Sequence, residues 1–302
     1  MTMQSAPAVA VNPPLSAWLL AVRPKTLPAA VAPILVGTAV AIREGGFQPL
    51  VALVSVAVAL LLQIVSNLAN DLLDFRKGAD TADRLGPTRV TQGGLIPPRQ
   101  VAVATGLAAA LAVALGLVLV WRGGWPILLV GAAALLAAVA YTGGPAPFGY
   151  LGLGEAFVVL FFGLAGVAGA AYVQTLQVTP LALLAAVPIG CLVAAILVVN
   201  NLRDIPTDRA AGKRTLAARF GPAFARREYT ALLVAAYLMP LLLWAPGLIG
   251  GWWWLAWLTV PLAWRLAGQV ATTDGRALNP LLGQTARLTL LFAVPFAASI
   301  IL

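Results

Sequence analysis

The sequence contains no histidine and a single cysteine. Without histidine, the commonest general base and the commonest zinc ligand are both missing. One cysteine rules out an internal disulfide and a thiolate metal cluster. Cys191 lies inside an apolar run and reads as a small buried hydrophobe. Charge is scarce as well: Asp, Glu, Lys and Arg make up 10% of the 302 residues, against about 25% in a soluble domain. Hydrophobic residues make up 61%, and the mean hydropathy is +0.93. Such a chain lacks the polar groups needed to cover a soluble surface. It predicts an all-α, polytopic membrane protein built from spans of about 20 residues whose backbone polar groups are satisfied internally.

Nine apolar stretches fit that length, at about 26–42, 49–72, 99–121, 125–141, 151–174, 180–201, 229–248, 251–272 and 284–302. The expectation is a bundle of nine transmembrane helices with cap loops. Pro33, Pro188, Pro240, Pro261 and Pro295 fall within these stretches, where neighbouring helices satisfy the freed carbonyls. The first residues carry neither a basic n-region nor a small-residue cleavage site, so no signal peptide is expected. Residues 1–22 read as an N-terminal tail and 23–302 as one transmembrane domain.

The net charge is +9. A basic excess can signal nucleic acid, but in a membrane chain it reports topology, and no nucleic-acid partner is expected. With the N-terminus in the cytoplasm and alternating sides, 17 of the 19 Lys and Arg residues fall inside, leaving Arg43 and Arg122 outside. That predicts a cell (inner) membrane protein whose C-terminus lies outside. The nine Trp residues, several at 252–257, fit an interfacial belt.

The two longest hydrophilic loops, about 75–98 and 202–228, then share the cytoplasmic face and hold most of the acidic residues. The first follows NLANDLLDFRKGADTADRLGPTR (67–89), the second NNLRDIPTDRAAGKRT (200–215). Asn70 and Asp74 are four apart, a spacing that puts both on one helix face. Asn200, Asp204 and Asp208 repeat the step, although Pro206 argues against continuous helix there. Both clusters run on to Asp-Arg, a Gly turn and basic residues, which hints at a duplication or at two facing halves.

Carboxylates and amide oxygens are hard ligands suited to Mg²⁺, which is usually held by one or two carboxylates together with substrate phosphate. Asn70, Asp71, Asp74, Asp80, Asn200, Asp204 and Asp208 are therefore candidates for holding Mg²⁺ around a diphosphate and for catalysis. Lys25, Lys77, Arg84, Arg89, Arg203, Arg209, Lys213 and Arg214 are candidates for its remaining oxygens. The substrate that joins a diphosphate to a bilayer is a prenyl diphosphate. Its ionisation at the allylic carbon is helped by positive charge at the leaving group and needs no covalent nucleophile. A transporter also fits polar helix ends and prolines within spans, but its site belongs at the midplane. A CDP-alcohol phosphotransferase would share Mg²⁺ and Asp clusters, but its single long motif is absent.

These residues resemble the UbiA superfamily of membrane aromatic prenyltransferases, over nearly the whole chain from Arg23 onward. Asn70, Asp71 and Asp74 match its first Asp-rich motif, and Asp204 and Asp208 its second. The last Asp of the first motif corresponds to Gly78, with Asp80 the nearest substitute. RPKTLPAAVAPILVGTA (23–39), YTGGPAPFGYLGLGE (141–155) and NNLRDIPTDRAAGKRTLAARFG (200–221) are most similar to the branch that prenylates 1,4-dihydroxy-2-naphthoate. The resemblance implies a UbiA-type bundle of nine helices. It also implies transfer of a polyprenyl chain to the ring carbon bearing the carboxylate, with loss of CO₂ and diphosphate to give demethylmenaquinone. Hydroxybenzoate-type relatives carry Tyr-x-x-x-Lys after the fourth span, whereas here Tyr141 is followed by Pro145. Arg23, Tyr141, Tyr150 and Glu155 are the candidates for the acceptor pocket. Asp208, the diphosphate or water remain open as the proton acceptor.

Overall fold

Proline opens most of the helices. In the computed structural model, which describes residues 13–78, 84–145 and 147–302, the principal helices are α1 (Leu15–Val22), α2 (Pro28–Arg43), α3 (Pro49–Arg76), α4 (Pro98–Gly123), α5 (Trp125–Ala140), α6 (Gly154–Val158), α7 (Gly169–Thr175), α8 (Pro180–Ala210), α9 (Leu216–Phe220), α10 (Pro222–Trp244), α11 (Val260–Thr272) and α12 (Leu278–Ile301). A π-helical segment, Val159–Ala168, joins α6 to α7. Pro occupies the first or second position of α2, α3, α4, α5, α8, α10 and α11. There its missing N–H costs nothing and its fixed φ suits the helix. No strand occurs among the described residues.

Five helical segments are long and apolar enough to cross a membrane: Pro49–Arg76, Pro98–Gly123, Gly154–Thr175, Pro180–Ala210 and Gly275–Ile301. Leu15–Thr26 and Pro28–Arg43, bent by 47°, make a sixth if taken together. The protein is thus a multi-pass helical membrane protein.

Two expectations are corrected. Residues 15–22 are not tail: Ala17 and Ala21 of α1 are buried against Leu68, Leu72, Val90, Ile96 and Val101. The short apolar helix covers the end of α3 and the loop that follows. Pro206 does not end its helix either, since α8 runs unbroken to Ala210. The ring removes only one backbone donor, close to the helix end. Asn200, Asp204 and Asp208 therefore do share one helical face.

The core lies around α8, which packs against α2, α10, α12 and the π-helical segment. Gly163 and Gly190 let two backbones meet here. A Cβ on Gly163 would stand 3.0 Å from the Ala186 carbonyl oxygen and from Gly190 Cα. Small residues permit this close packing in membrane bundles. α3, α4 and α5 pack together and face α2 and the segment 154–175. Between these two walls lies an apolar cavity of about 450 Å³. Val113 and Leu117 of α4 and Leu128 and Val130 of α5 line it while also exposed on the bundle's flank.

Candidate active site

The C-terminal ends of α3 and α8 come together at one end of the bundle, around a second cavity of about 240 Å³. Its charged lining consists of Asp74, Asp204 and Asp208 with Arg23, Arg84, Arg89 and Lys213. Asn70, Asn200, Asn201, Tyr141, Thr142 and Tyr150 add neutral polar groups. The two cavities share Gln63, Ser66, Tyr141, Val158 and Phe162, so the charged chamber adjoins the apolar one. Phe148, Phe157 and Phe161 continue the apolar wall from that junction, with Phe148 stacked on Phe157 at 4.0 Å and Tyr141 edge-on to Phe148 at 5.5 Å.

Asp74 is buried and held from three sides. Arg89 Nη2 lies 3.1 Å from Oδ2, the Tyr150 hydroxyl donates to Oδ1 at 2.8 Å, and Lys213 Nζ stands 3.7 Å from Oδ1. Lys213 is also 3.8 Å from Asp208 Oδ1, so one ammonium bridges the two acidic helix ends. That ammonium lies over the Tyr150 ring, 4.6 Å from its centroid, a further cation–π attraction. Arg214 N–H donates to the Tyr150 carbonyl at 2.8 Å, closing loop 211–215 onto loop 147–153. Asn70 Oδ1 accepts from the Thr142 hydroxyl at 2.7 Å.

Several sequence candidates stand apart from the cavity. Both oxygens of Asp71 accept backbone N–H groups, from Val90 at 3.0 Å and Thr91 at 2.9 Å. Asp71 thus anchors the loop after α3, an N–H-capping role in place of one facing the chamber. Arg203 is 2% exposed. Four of its five guanidinium N–H donors go to Asp204 (2.8 and 2.5 Å), Asn200 (2.7 Å) and Asn279 (2.8 Å), so it orients cavity residues from outside the lining. Arg209 donates to the Ala218 carbonyl at 2.8 Å and fastens α9. Lys25 and Arg214 are exposed outside the lining. Glu155 is buried behind the lining, its Oε1 accepting from Asn201 at 2.8 Å. Asp80 lies outside the described residues.

Lys77 is also outside the lining, but its ammonium donates to the Thr142 carbonyl at 2.6 Å and lies 5.1 Å from the Tyr150 ring centroid. A lysine therefore does reach the loop after α5, from α3 and not from position 145. Asn279 went unnoticed in the sequence. It sits in the last helix, far from either acidic cluster, yet accepts from Arg203 and donates to the Leu85 carbonyl at 2.9 Å. Only its place beside the second Arg-Asp pair in space reveals it.

The donor set is oxygen-rich and hard, which suits Mg²⁺. Among the described residues, no group of three or more His, Cys, Asp or Glu side chains is close enough to hold a metal unaided. A site with few protein ligands is what Mg²⁺ uses when substrate phosphate completes its coordination.

The fold and the site define a multi-pass helical membrane protein with a charged chamber beside an apolar one. The chain belongs to the UbiA prenyltransferase family, whose model matches residues 30–280. It is 41% identical to the 1,4-dihydroxy-2-naphthoate octaprenyltransferase of Escherichia coli, covering 95% of each chain. It is 40% identical to the protein of that name from Mycobacterium tuberculosis, covering 94% of this chain and 96% of the relative. A UbiA homolog from Archaeoglobus fulgidus, solved bound to DMAPP and Mg²⁺, shares the fold with a TM-score of 0.68 at 14% identity, over 94% of this chain and 98% of that one.

Proposed function

We propose that this chain transfers a polyprenyl group from polyprenyl diphosphate to 1,4-dihydroxy-2-naphthoate in menaquinone biosynthesis, releasing CO₂ and diphosphate and forming demethylmenaquinone in its reduced, quinol form. The observation that carries this reading is the adjacency of the two cavities: an acidic and basic chamber for a charged head, sharing Tyr141 and Phe162 with an apolar chamber for a chain. The acceptor comes from the full-length relatives of that name.

Asp74, Asp204 and Asp208, with Asn70 and Asn200, would hold Mg²⁺. The chemistry it supplies there is charge neutralisation at the leaving diphosphate. Arg84, Arg89 and Lys213 bind the diphosphate oxygens and stabilise the charge that grows on them as the allylic C–O bond breaks, and Arg23, on the same lining, serves the acceptor. The allylic carbon lies where the chambers meet. The aromatic rings of Tyr141 and Phe162 line both chambers; aromatic surface favours a cation and excludes water that would quench it. The acceptor ring carbon attacks, and the C–C bond to its carboxylate then breaks. That electron pair returns to the ring as CO₂ departs. Because the leaving group is CO₂ and not a ring proton, rearomatisation needs no histidine base.

We further place nine helices across the cell membrane with the charged chamber on the cytoplasmic side. Support comes from Arg43 and Arg122, which sit at the other end of the bundle and donate to the carbonyls of Ile300 and Gln174. The test is incubation of the purified protein with dihydroxynaphthoate, a polyprenyl diphosphate and Mg²⁺, followed by mass spectrometry of the lipid extract. A prenylated naphthoquinol lacking the carboxylate is expected. A product that retains the carboxylate refutes the decarboxylating step, and no prenylated product refutes the acceptor.

A further inference from the structure

We propose that Lys213 holds the cation position between the two acidic helix ends in the substrate-free protein, so that a divalent cation enters only together with a diphosphate. This inference rests on the reading of the chamber as an Mg²⁺–diphosphate site.

Three observations carry it. Lys213 Nζ lies 3.7 Å from Asp74 Oδ1 and 3.8 Å from Asp208 Oδ1, one carboxylate from each cluster. Each carboxylate on the lining already has a cation: Asp74 has Arg89 and Lys213, Asp204 has Arg203, and Asp208 has Lys213. The charged side chains on the lining itself are four cations against three carboxylates. A chamber of that balance does not attract a bare dication, because the incoming charge meets an ammonium already seated between the carboxylates. A diphosphate ester changes the account. Its oxygens give the ammonium new acceptors, free the two carboxylates, and bring negative charge to a lining with an excess of cations.

Tyr150 makes the exchange local. Its ring lies under the Lys213 ammonium at 4.6 Å, and its hydroxyl holds Asp74. When the ammonium turns to diphosphate it keeps a neighbouring π face, and Asp74 keeps its orientation. The side chain of Lys213 is 17% exposed, so it has room to move that the buried Arg203 lacks.

The experiment measures Mn²⁺ binding to the detergent-purified full chain by equilibrium dialysis, without acceptor or prenyl chain. The wild type is expected to retain little Mn²⁺ alone and to take it up when inorganic diphosphate is added. Lys213→Met is expected to bind Mn²⁺ alone at least about tenfold more tightly than the wild type, because a unit positive charge within about 4 Å is removed. Lys213→Arg, which keeps the charge, is expected to behave as the wild type. Lys213→Gln repeats the test should the methionine variant fold poorly. Equal Mn²⁺ affinity in wild type and in both neutral variants overturns the role of Lys213, as does a gain in Lys213→Arg equal to that in Lys213→Met. Absence of Mn²⁺ uptake with diphosphate in every protein overturns the reading of the chamber itself, and this inference with it.

Discussion

Arg203 and Asp204 are sequence neighbours that pair with each other: Nε meets Oδ1 at 2.8 Å and Nη2 meets Oδ2 at 2.5 Å. Consecutive helical side chains ordinarily diverge. Here the guanidinium folds back along the helix, and two further donors reach Asn200 and Asn279. Arg203→Met therefore leaves Asp204 in a buried place without its cation. Breaking such a pair costs about 3–5 kcal/mol, so a clear drop in thermal unfolding temperature in detergent is expected. An unchanged temperature would show that the pair is not structural.

The two carboxylates of the first cluster separate by role. Asp74→Asn removes a charge from the chamber lining, and Mg²⁺-dependent prenyl transfer is expected to fall by about 10²–10³-fold, the scale of a lost transition-state contact. Insertion and size-exclusion behaviour should hold. Activity within a few-fold of wild type would remove Asp74 from the site.

Asp71→Asn is expected to do the opposite. It replaces one acceptor of the Val90 and Thr91 N–H groups with a donor. Leaving one such group unsatisfied costs about 1–3 kcal/mol. The unfolding temperature should fall, with turnover kept and the KM for prenyl diphosphate raised as the loop bearing Arg89 loosens. A loss of turnover equal to that of Asp74→Asn would return Asp71 to the catalytic group.

Gly116 lines the apolar cavity, and a Cβ built on it meets nothing within 4 Å. Gly116→Trp should narrow the cavity. A long prenyl chain then loses burial of several methylenes, each worth about 0.8 kcal/mol. Transfer from long-chain diphosphates is expected to fall by at least about tenfold, while geranyl diphosphate is still used. Equal losses for both lengths would place the chain elsewhere.

Much of this site was legible because charge in an apolar chain is conspicuous. The Asn-x-x-x-Asp steps located the ends of α3 and α8, and Asp74, Asp204 and Asp208 do line one chamber. Spacing alone could not separate Asp71 from Asp74. They differ only in which face of α3 meets the loop after it, and that is set by where Val90 and Thr91 return. Arg203 likewise looked like a ligand for substrate, because its partner Asn279 is 76 residues away. Local rules erred at Pro206, where the proline lies too near the helix end to break it, and at α1, where residues read as tail bury Ala17 and Ala21 against the distant Leu68 and Leu72.

The apolar cavity is walled by Val113, Leu117, Leu128 and Val130, which also face the flank of the bundle. For the proposed reaction this separates the exits of the two products. The quinol has lost both the diphosphate and the carboxylate, so nothing ties it to the charged chamber, and the lipid-facing flank is its natural way out. Diphosphate leaves through the polar end into water. Turnover then requires neither product to pass the other, and the bilayer acts as a sink that draws the reaction forward.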